Sequence, residues 1–235
     1  IEGDWMYGRG AGDMKCGVAA NLFAMAALKT AGVMPAADVY LQTVIEEECT
    51  GNGALSCFAR GYHPDAALIP EPSGETLMSA QVGVVWMQVT VRGRPVHASV
   101  AGTGANAIEA CVPLWNALHA LEAEWNQTAH KHPAFSDEVH PINLVISRME
   151  GGEWTSSVPS EARFDVRVGL YPDTPVEKIQ RRLEACLAEA ARDHPFLSNN
   201  PPEVAYHGFL SEGYVLREGP DAVSYTHLRA HETHS

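Results

Sequence analysis

The stretch Val39 to Ile45 is apolar and rich in β-branched residues, and it stops abruptly at three consecutive glutamates, Glu46, Glu47 and Glu48. A run this short reads as a buried strand of a parallel sheet. Such a strand constrains its surroundings, because helices must cover both faces and crossovers must join its neighbours. The flanking sequence supplies them. Cys16 to Thr30 sets Val18, Leu22, Met25, Ala26 and Leu28 close to helical spacing, with Gly32 and Pro35 as stop signals. A second helix-like piece runs from Ala54 to Arg60. A second short apolar strand, Ala66 to Ile69, ends at Glu71, which stands between Pro70 and Pro72. This order predicts an α/β domain with a partial, mainly parallel sheet over residues 1–80. In open sheets of that kind ligands sit beyond the carboxyl ends of the strands, where both glutamate positions fall.

The pattern changes near Ala80. The chain then reads as strand (Val82 to Val91), turn (Arg92 to Pro95), helix (Ala105 to Glu122), strand (Ile142 to Met149), strand (Ala162 to Leu170), helix (Pro175 to Arg192) and strand (Glu203 to Phe209). The order βαββαβ predicts an inserted ferredoxin-like domain over residues 81–211. Residues 212–223 are expected to return toward the first domain. The final stretch, SYTHLRAHETHS at 224–235, continues no earlier pattern and reads as a non-native tail rather than a metal site, despite His227, His231 and His234.

Charge narrows the partners. With 29 acidic against 16 basic residues the net charge is -13, and no Lys/Arg-rich stripe interrupts it, which argues against nucleic acid and anionic membranes. No apolar run approaches the ~18 residues of a membrane span, and the acidic, glycine-rich start does not resemble a signal peptide. The cysteines Cys16, Cys49, Cys57, Cys111 and Cys186 are odd in number and lack CxxC spacing. That disfavours a disulfide framework and suits a reducing cytoplasm.

The chemistry lies in the carboxylates. Acidic groups gathered at strand ends raise one another's pKa, so such a cluster implies a neutralising cation. Neighbouring glutamates at a strand end can point in different directions, so that one binds metal while the other handles protons. Asp13 lies in GRGAGDMKCG, whose glycines allow a tight turn before a helix. A dinucleotide loop would need glycine where Asp13 stands, and an aspartate there repels phosphate. An all-oxygen Mg(II) site for phosphoryl transfer is a further possibility, but no Lys, Arg or glycine loop is placed to hold phosphate.

The segments GRGAGDMKCG, VIEEECTGNGA, ALIPEPSG and VRGRPVHAS, in that order, resemble the M20 metallopeptidases, the group of acetylornithine deacetylase, succinyl-diaminopimelate desuccinylase, aminoacylase and glutamate carboxypeptidase. The resemblance runs to about Val223. It implies hydrolysis of an N-acyl amino acid or peptide amide at a two-zinc centre, with cobalt or manganese as other candidate metals. Carried over by position, Asp13 would bridge the metals, Glu48 and Glu71 would each bind one, and Glu47 would be the general base. His97 would reach a neighbouring subunit's active site and steady the oxyanion. The implied assembly is a homodimer formed through the second, lid domain, with Asn106 facing substrate.

The chain also departs from the family pattern. The family's upstream H-x-D histidine and its C-terminal histidine ligand have no counterpart in this sequence, so the chain is expected to act as a fragment with weak metal retention and little activity. Many members carry an arginine in an R-x-x-P motif that meets the substrate carboxylate, but before Pro172 that position holds Gly169. Arg167, two residues earlier on the same strand face, becomes the candidate for that contact, and specificity stays open. The missing histidines leave a second reading in play, a noncatalytic binding or assembly module built on the ferredoxin-like domain.

Overall fold

The computed structural model describes residues 1–73 and 77–216. The expected tail at 224–235 and the last part of the 212–223 return segment lie outside them. The chain divides into two compact units, residues up to Met78 and residues from Ser79 onward.

The first unit contains helices α1 (Lys15–Thr30) and α2 (Asn52–Ala59) joined by extended and turn segments. Both helices fall where the apolar spacing predicts them. The parallel sheet is not found: among the described residues of this unit there is no strand. The segments 39–45 and 66–69 are extended, but neither exchanges ladder hydrogen bonds with the other or with a third segment. A strand exists only when a partner takes up its N–H and C=O groups. Without one the apolar side chains are not covered either, and Val39 and Ile45 are 55% and 74% exposed.

The second unit has the element order β1 (Ala80–Gln81), β2 (Gly83–Arg92), α3 (Ala107–Trp125), β3 (Leu144–Gly151), β4 (Glu161–Leu170), α4 (Val176–Arg192), β5 (Glu203–Ser211) and β6 (Tyr214–Val215). Every strand and helix expected between 82 and 209 is present, with ends displaced by a few residues. Helix α3 starts later than expected because Asn106 caps it, its side-chain oxygen accepting from the amides of Ile108 at 2.9 Å and Glu109 at 3.3 Å. The four long strands form an antiparallel sheet in the order β3–β4–β2–β5, while β1 and β6 form a separate pair.

Alternation along β2 puts Val85, Met87, Val89 and Val91 on one face, where they are fully buried, and Trp86, Gln88 and Thr90 on the other, half-buried. Strand β4 matches it with Ala162, Phe164, Val166 and Val168. Leu114, Leu118 and Leu121 of α3 and Ile179, Leu183 and Leu187 of α4 recur at helical spacing and close the core against that face. Each such side chain stabilises the fold by about 1.5–3 kcal/mol through burial. The opposite sheet face carries Trp86, packed edge-on against Phe209 and His207. The indole lies over Gly208, whose φ of 62° and missing side chain allow the contact, since a Cβ there would stand 2.3 Å from the ring.

All five cysteines are free, with Cys111 and Cys186 buried; burial pushes the Cys111 thiol up to about 11. Among the described residues no helix is long and apolar enough to cross a membrane.

Candidate active site

In the first unit, two glycines draw distant loops together. Gly17 is the buried residue of α1, and a Cβ added there would lie 2.2 Å from the carbonyl oxygen of Pro70. Gly53 in α2 similarly faces the carbonyl oxygen of Ile45, at 2.3 Å from a built Cβ. Close approach of main chain to main chain at both points brings the loop of Glu71 to the start of α1, and the glutamate triplet to the start of α2.

Four carboxylates converge as a result. Glu71, half-buried, is held above the usual carboxylate range first by desolvation and then by the charges of Asp13, Glu47 and Glu48, with Asp13 in hydrogen-bonding reach. Asp13 and Glu48 also line a common cavity of about 490 Å³ with the glycine-rich turn Gly8 to Gly12. The peptide between Asp13 and Met14 is cis.

Glu46 serves the loop itself. It takes a left-handed conformation, with φ 59°, and its main-chain oxygen accepts from the amides of Thr50 at 3.2 Å and Gly51 at 2.9 Å. Its carboxylate accepts from Asn52 Nδ2 at 3.1 Å and from the Thr50 hydroxyl. This clamp folds the triplet back so that Glu47 and Glu48 can both approach Glu71. Sequence reasoning assigns Glu46 no role in the site, and nothing in the spacing of Thr50 and Asn52 signals that they hold its side chain.

The donor set suits a divalent cation in kind. All four groups are hard oxygen donors, and a cation would offset the charges of Asp13, Glu47 and Glu48 that, after burial, raise Glu71. The side chains are not drawn to coordinating distance, however. Among the described residues no group of three or more His, Cys, Asp or Glu is close enough to hold a metal ion. His63, the one histidine of the first unit, packs edge-on against Phe58 instead.

The remaining predicted residues belong to the second unit. His97 is exposed and caps the 3₁₀ turn Ala98–Thr103, its Nδ1 accepting from the Ser99 amide at 3.2 Å and lying 2.8 Å from the Ser99 hydroxyl oxygen. Asn106 uses its side-chain oxygen as the cap of α3, a structural task that a helix-start reading of GTGANAIEA could have found. Arg167 is exposed on the sheet face away from the helices, paired in register with Trp86 and Val145. Gly169 donates its amide to the Asn143 carbonyl at 2.9 Å.

These features define a class: a loop cluster of carboxylates of metal-site chemistry, followed by an α/β unit with an antiparallel sheet. Comparison with known proteins gives the family. Residues 79–195 match the peptidase dimerisation domain of the M20 peptidases, and the chain belongs to the M20 family.

The chain is 32% identical over 211 residues to the N-formyl-4-amino-5-aminomethyl-2-methylpyrimidine deformylase of Halalkalibacterium halodurans, a match covering 86% of this chain and 48% of that protein. To the protein of the same name in Bacillus subtilis it is 30% identical over 213 residues, covering 86% and 49%. To a probable succinyl-diaminopimelate desuccinylase of Staphylococcus aureus it is 30% identical over 189 residues, covering 72% and 46%. The chain therefore spans about half the length of these relatives, whose names are those of hydrolases acting on carbon–nitrogen amide bonds. Among solved structures, the aminopeptidase PepT of Bacillus cereus aligns with a TM-score of 0.45 at 17% identity, over 66% of this chain and 37% of that one.

Proposed function

We propose that this chain provides the carboxylate half of a metal-dependent amide hydrolase acting on small N-acyl compounds, and that its four converging carboxylates divide their work. The observation that carries this reading is Glu71, a carboxyl raised by burial and by Asp13, Glu47 and Glu48, which come from two other loops. In this reading Asp13 would be the ligand shared by two divalent ions, Glu48 and Glu71 would each hold one of them, and zinc, cobalt or manganese would suit these oxygen donors. A bound divalent cation supplies Lewis acidity and lowers the pKa of water.

Glu47 is the general base. It lies next to a ligand in sequence and is the group left free to take a proton from attacking water and hand it to the departing nitrogen. His97 donates a hydrogen bond to the carbonyl oxygen as that oxygen gains charge, in the active site of a neighbouring subunit. Asn106 and Arg167 are assigned to substrate. With its side-chain oxygen committed to accepting from the Ile108 and Glu109 amides at the α3 cap, Asn106 has its side-chain nitrogen to offer. The domain division 1–80, 81–211 and 212–223, the ferredoxin-like classification of the second domain, its lid role and homodimer formation through it belong to the same proposal. The strand order β3–β4–β2–β5 and the dimerisation-domain match support them.

The names of the deformylase and desuccinylase relatives point to an N-acyl amine with a small acyl group. The test is release of amine from N-formyl and N-succinyl substrates with added Zn(II), Co(II) or Mn(II), in this chain and in a protein of the relatives' full length that carries it. Turnover in the longer protein that falls about 10²–10⁴-fold in Glu47→Gln supports the reading. Unchanged turnover in that variant removes Glu47 from its role.

A second reading, a noncatalytic assembly module, is favoured by one observation: no described group of three donors stands at coordinating distance. A longer protein that dimerises but hydrolyses neither substrate with any of the metals would establish it over the first.

A further inference from the structure

We infer that Ser99 is a positioning residue that fixes His97 as a neutral hydrogen-bond donor through Nε2, a refinement that rests on the role proposed for His97 above. The Ser99 amide nitrogen lies 3.2 Å from His97 Nδ1 and donates to it, and the Ser99 hydroxyl oxygen lies 2.8 Å from the same ring nitrogen. A backbone N–H can only donate, so Nδ1 must present its lone pair and cannot carry a hydrogen in this geometry. In the neutral ring the hydrogen is then on Nε2.

The main chain around the ring is held from both sides, which makes the arrangement more than a local side-chain preference. Ala98 donates to the Ser156 carbonyl at 2.9 Å, Val158 donates to Val96 at 2.8 Å, and Val100 donates to the His97 carbonyl at 3.0 Å. His97 and Ser157 form an isolated antiparallel bridge. The turn therefore fixes the amide of Ser99, and the amide fixes the ring.

The consequence is chemical. Nε2 has no partner among the described residues, and His97 is exposed. An imidazole held this way offers a ready N–H to an oxygen that is gaining negative charge, without any proton transfer of its own. Proton traffic then falls to Glu47 alone, and the electrophile and the base of the proposed reaction are separate groups.

The tautomer can be read directly in this chain by long-range ¹H–¹⁵N correlation with ¹⁵N-labelled histidine at neutral pH, using His97→Gln to identify the signals. The expected result is an unprotonated Nδ1 and a hydrogen-bearing Nε2. Ser99→Thr keeps both donors and should keep that pattern. Ser99→Pro removes the amide hydrogen and the hydroxyl together, and should lower the Nε2–H to Nδ1–H ratio about tenfold, the worth of one ordinary hydrogen bond. A protonated Nδ1 in the unsubstituted chain overturns the inference, and so does an unchanged ratio in a folded Ser99→Pro protein. Where the proline variant does not fold, the unsubstituted chain decides by itself. Neither metal nor substrate enters this measurement, so its outcome is independent of whether the protein hydrolyses amides.

Discussion

Gly17 and Pro70 meet so closely that a Cβ on Gly17 would lie 2.2 Å from the Pro70 carbonyl oxygen, and this contact sets the start of α1 against the loop of Glu71. Gly17→Ala cannot be absorbed by a flexible side-chain end, because the obstacle is main chain. The loop must move, at about 1–3 kcal/mol for overpacking, against a helix-propensity gain of about 1 kcal/mol. The substitution should separate Asp13 from Glu71 and lower metal affinity, measured by titration, more than it lowers the thermal midpoint of the second unit. Unaltered metal affinity would show that the contact does not assemble the site.

Glu122 of α3 ties the segment before β3 to the helix. Its carboxylate accepts from the Leu144 amide at 2.9 Å and lies 3.0 Å from His140 Nε2 and 3.1 Å from His119 Nδ1. Burial pushes this carboxyl up, but the hydrogen bonds from His140, Leu144 and His119 outweigh it and leave it below its usual value. A carboxyl depressed in the folded state contributes stability above its unfolded pKa, and that contribution is lost as the pH falls through the lowered folded value. Glu122→Gln should therefore cost about 1–2 kcal/mol near neutral pH. Denaturant unfolding of the two proteins should converge as the pH drops below about 4; a difference that stays constant through that window contradicts the assignment.

Tyr206 of β5 reaches α4, its hydroxyl lying 3.1 Å from both the Gln180 carbonyl and a Glu184 carboxylate oxygen. Burial first, and then the charge and hydrogen bond of Glu184, push the phenol well up. A raised phenol contributes stability that is fully present below the unfolded value of about 10 and is lost as the pH rises beyond it. Tyr206→Phe should lose about 1 kcal/mol at neutral pH and lack the alkaline loss seen in the unsubstituted chain. Equal alkaline unfolding in both proteins would assign that loss to another group.

The second unit was legible in the sequence because its order rests on local patterns. The alternation from Val85 to Val91 and the helical spacing of Leu114, Leu118 and Leu121 are visible within single elements. The first unit was legible only in its helices. Val39 to Ile45 has strand composition, but pairing depends on residues elsewhere, and no described segment provides it. For the carboxylates, the motifs identified Asp13, Glu47, Glu48 and Glu71, and Glu71 is raised by burial and by the charges of the other three. The contacts that assemble them, Gly17 against Pro70 and Gly53 against Ile45, are tertiary and leave no mark in the spacing. Ser99 was likewise hidden, since its part is played by a backbone amide, which every residue but proline carries.

The division of labour among the carboxylates is tested most directly by Zn(II) affinity, measured by competition with a chromophoric chelator, for this chain and for Asp13→Asn, Glu47→Gln, Glu48→Gln and Glu71→Gln. Three ligands and one base predict that Glu47→Gln binds as the unsubstituted chain does, while each of the other three binds at least about tenfold more weakly. Equal affinity in all five proteins, or a loss in Glu47→Gln as large as in the others, would contradict it.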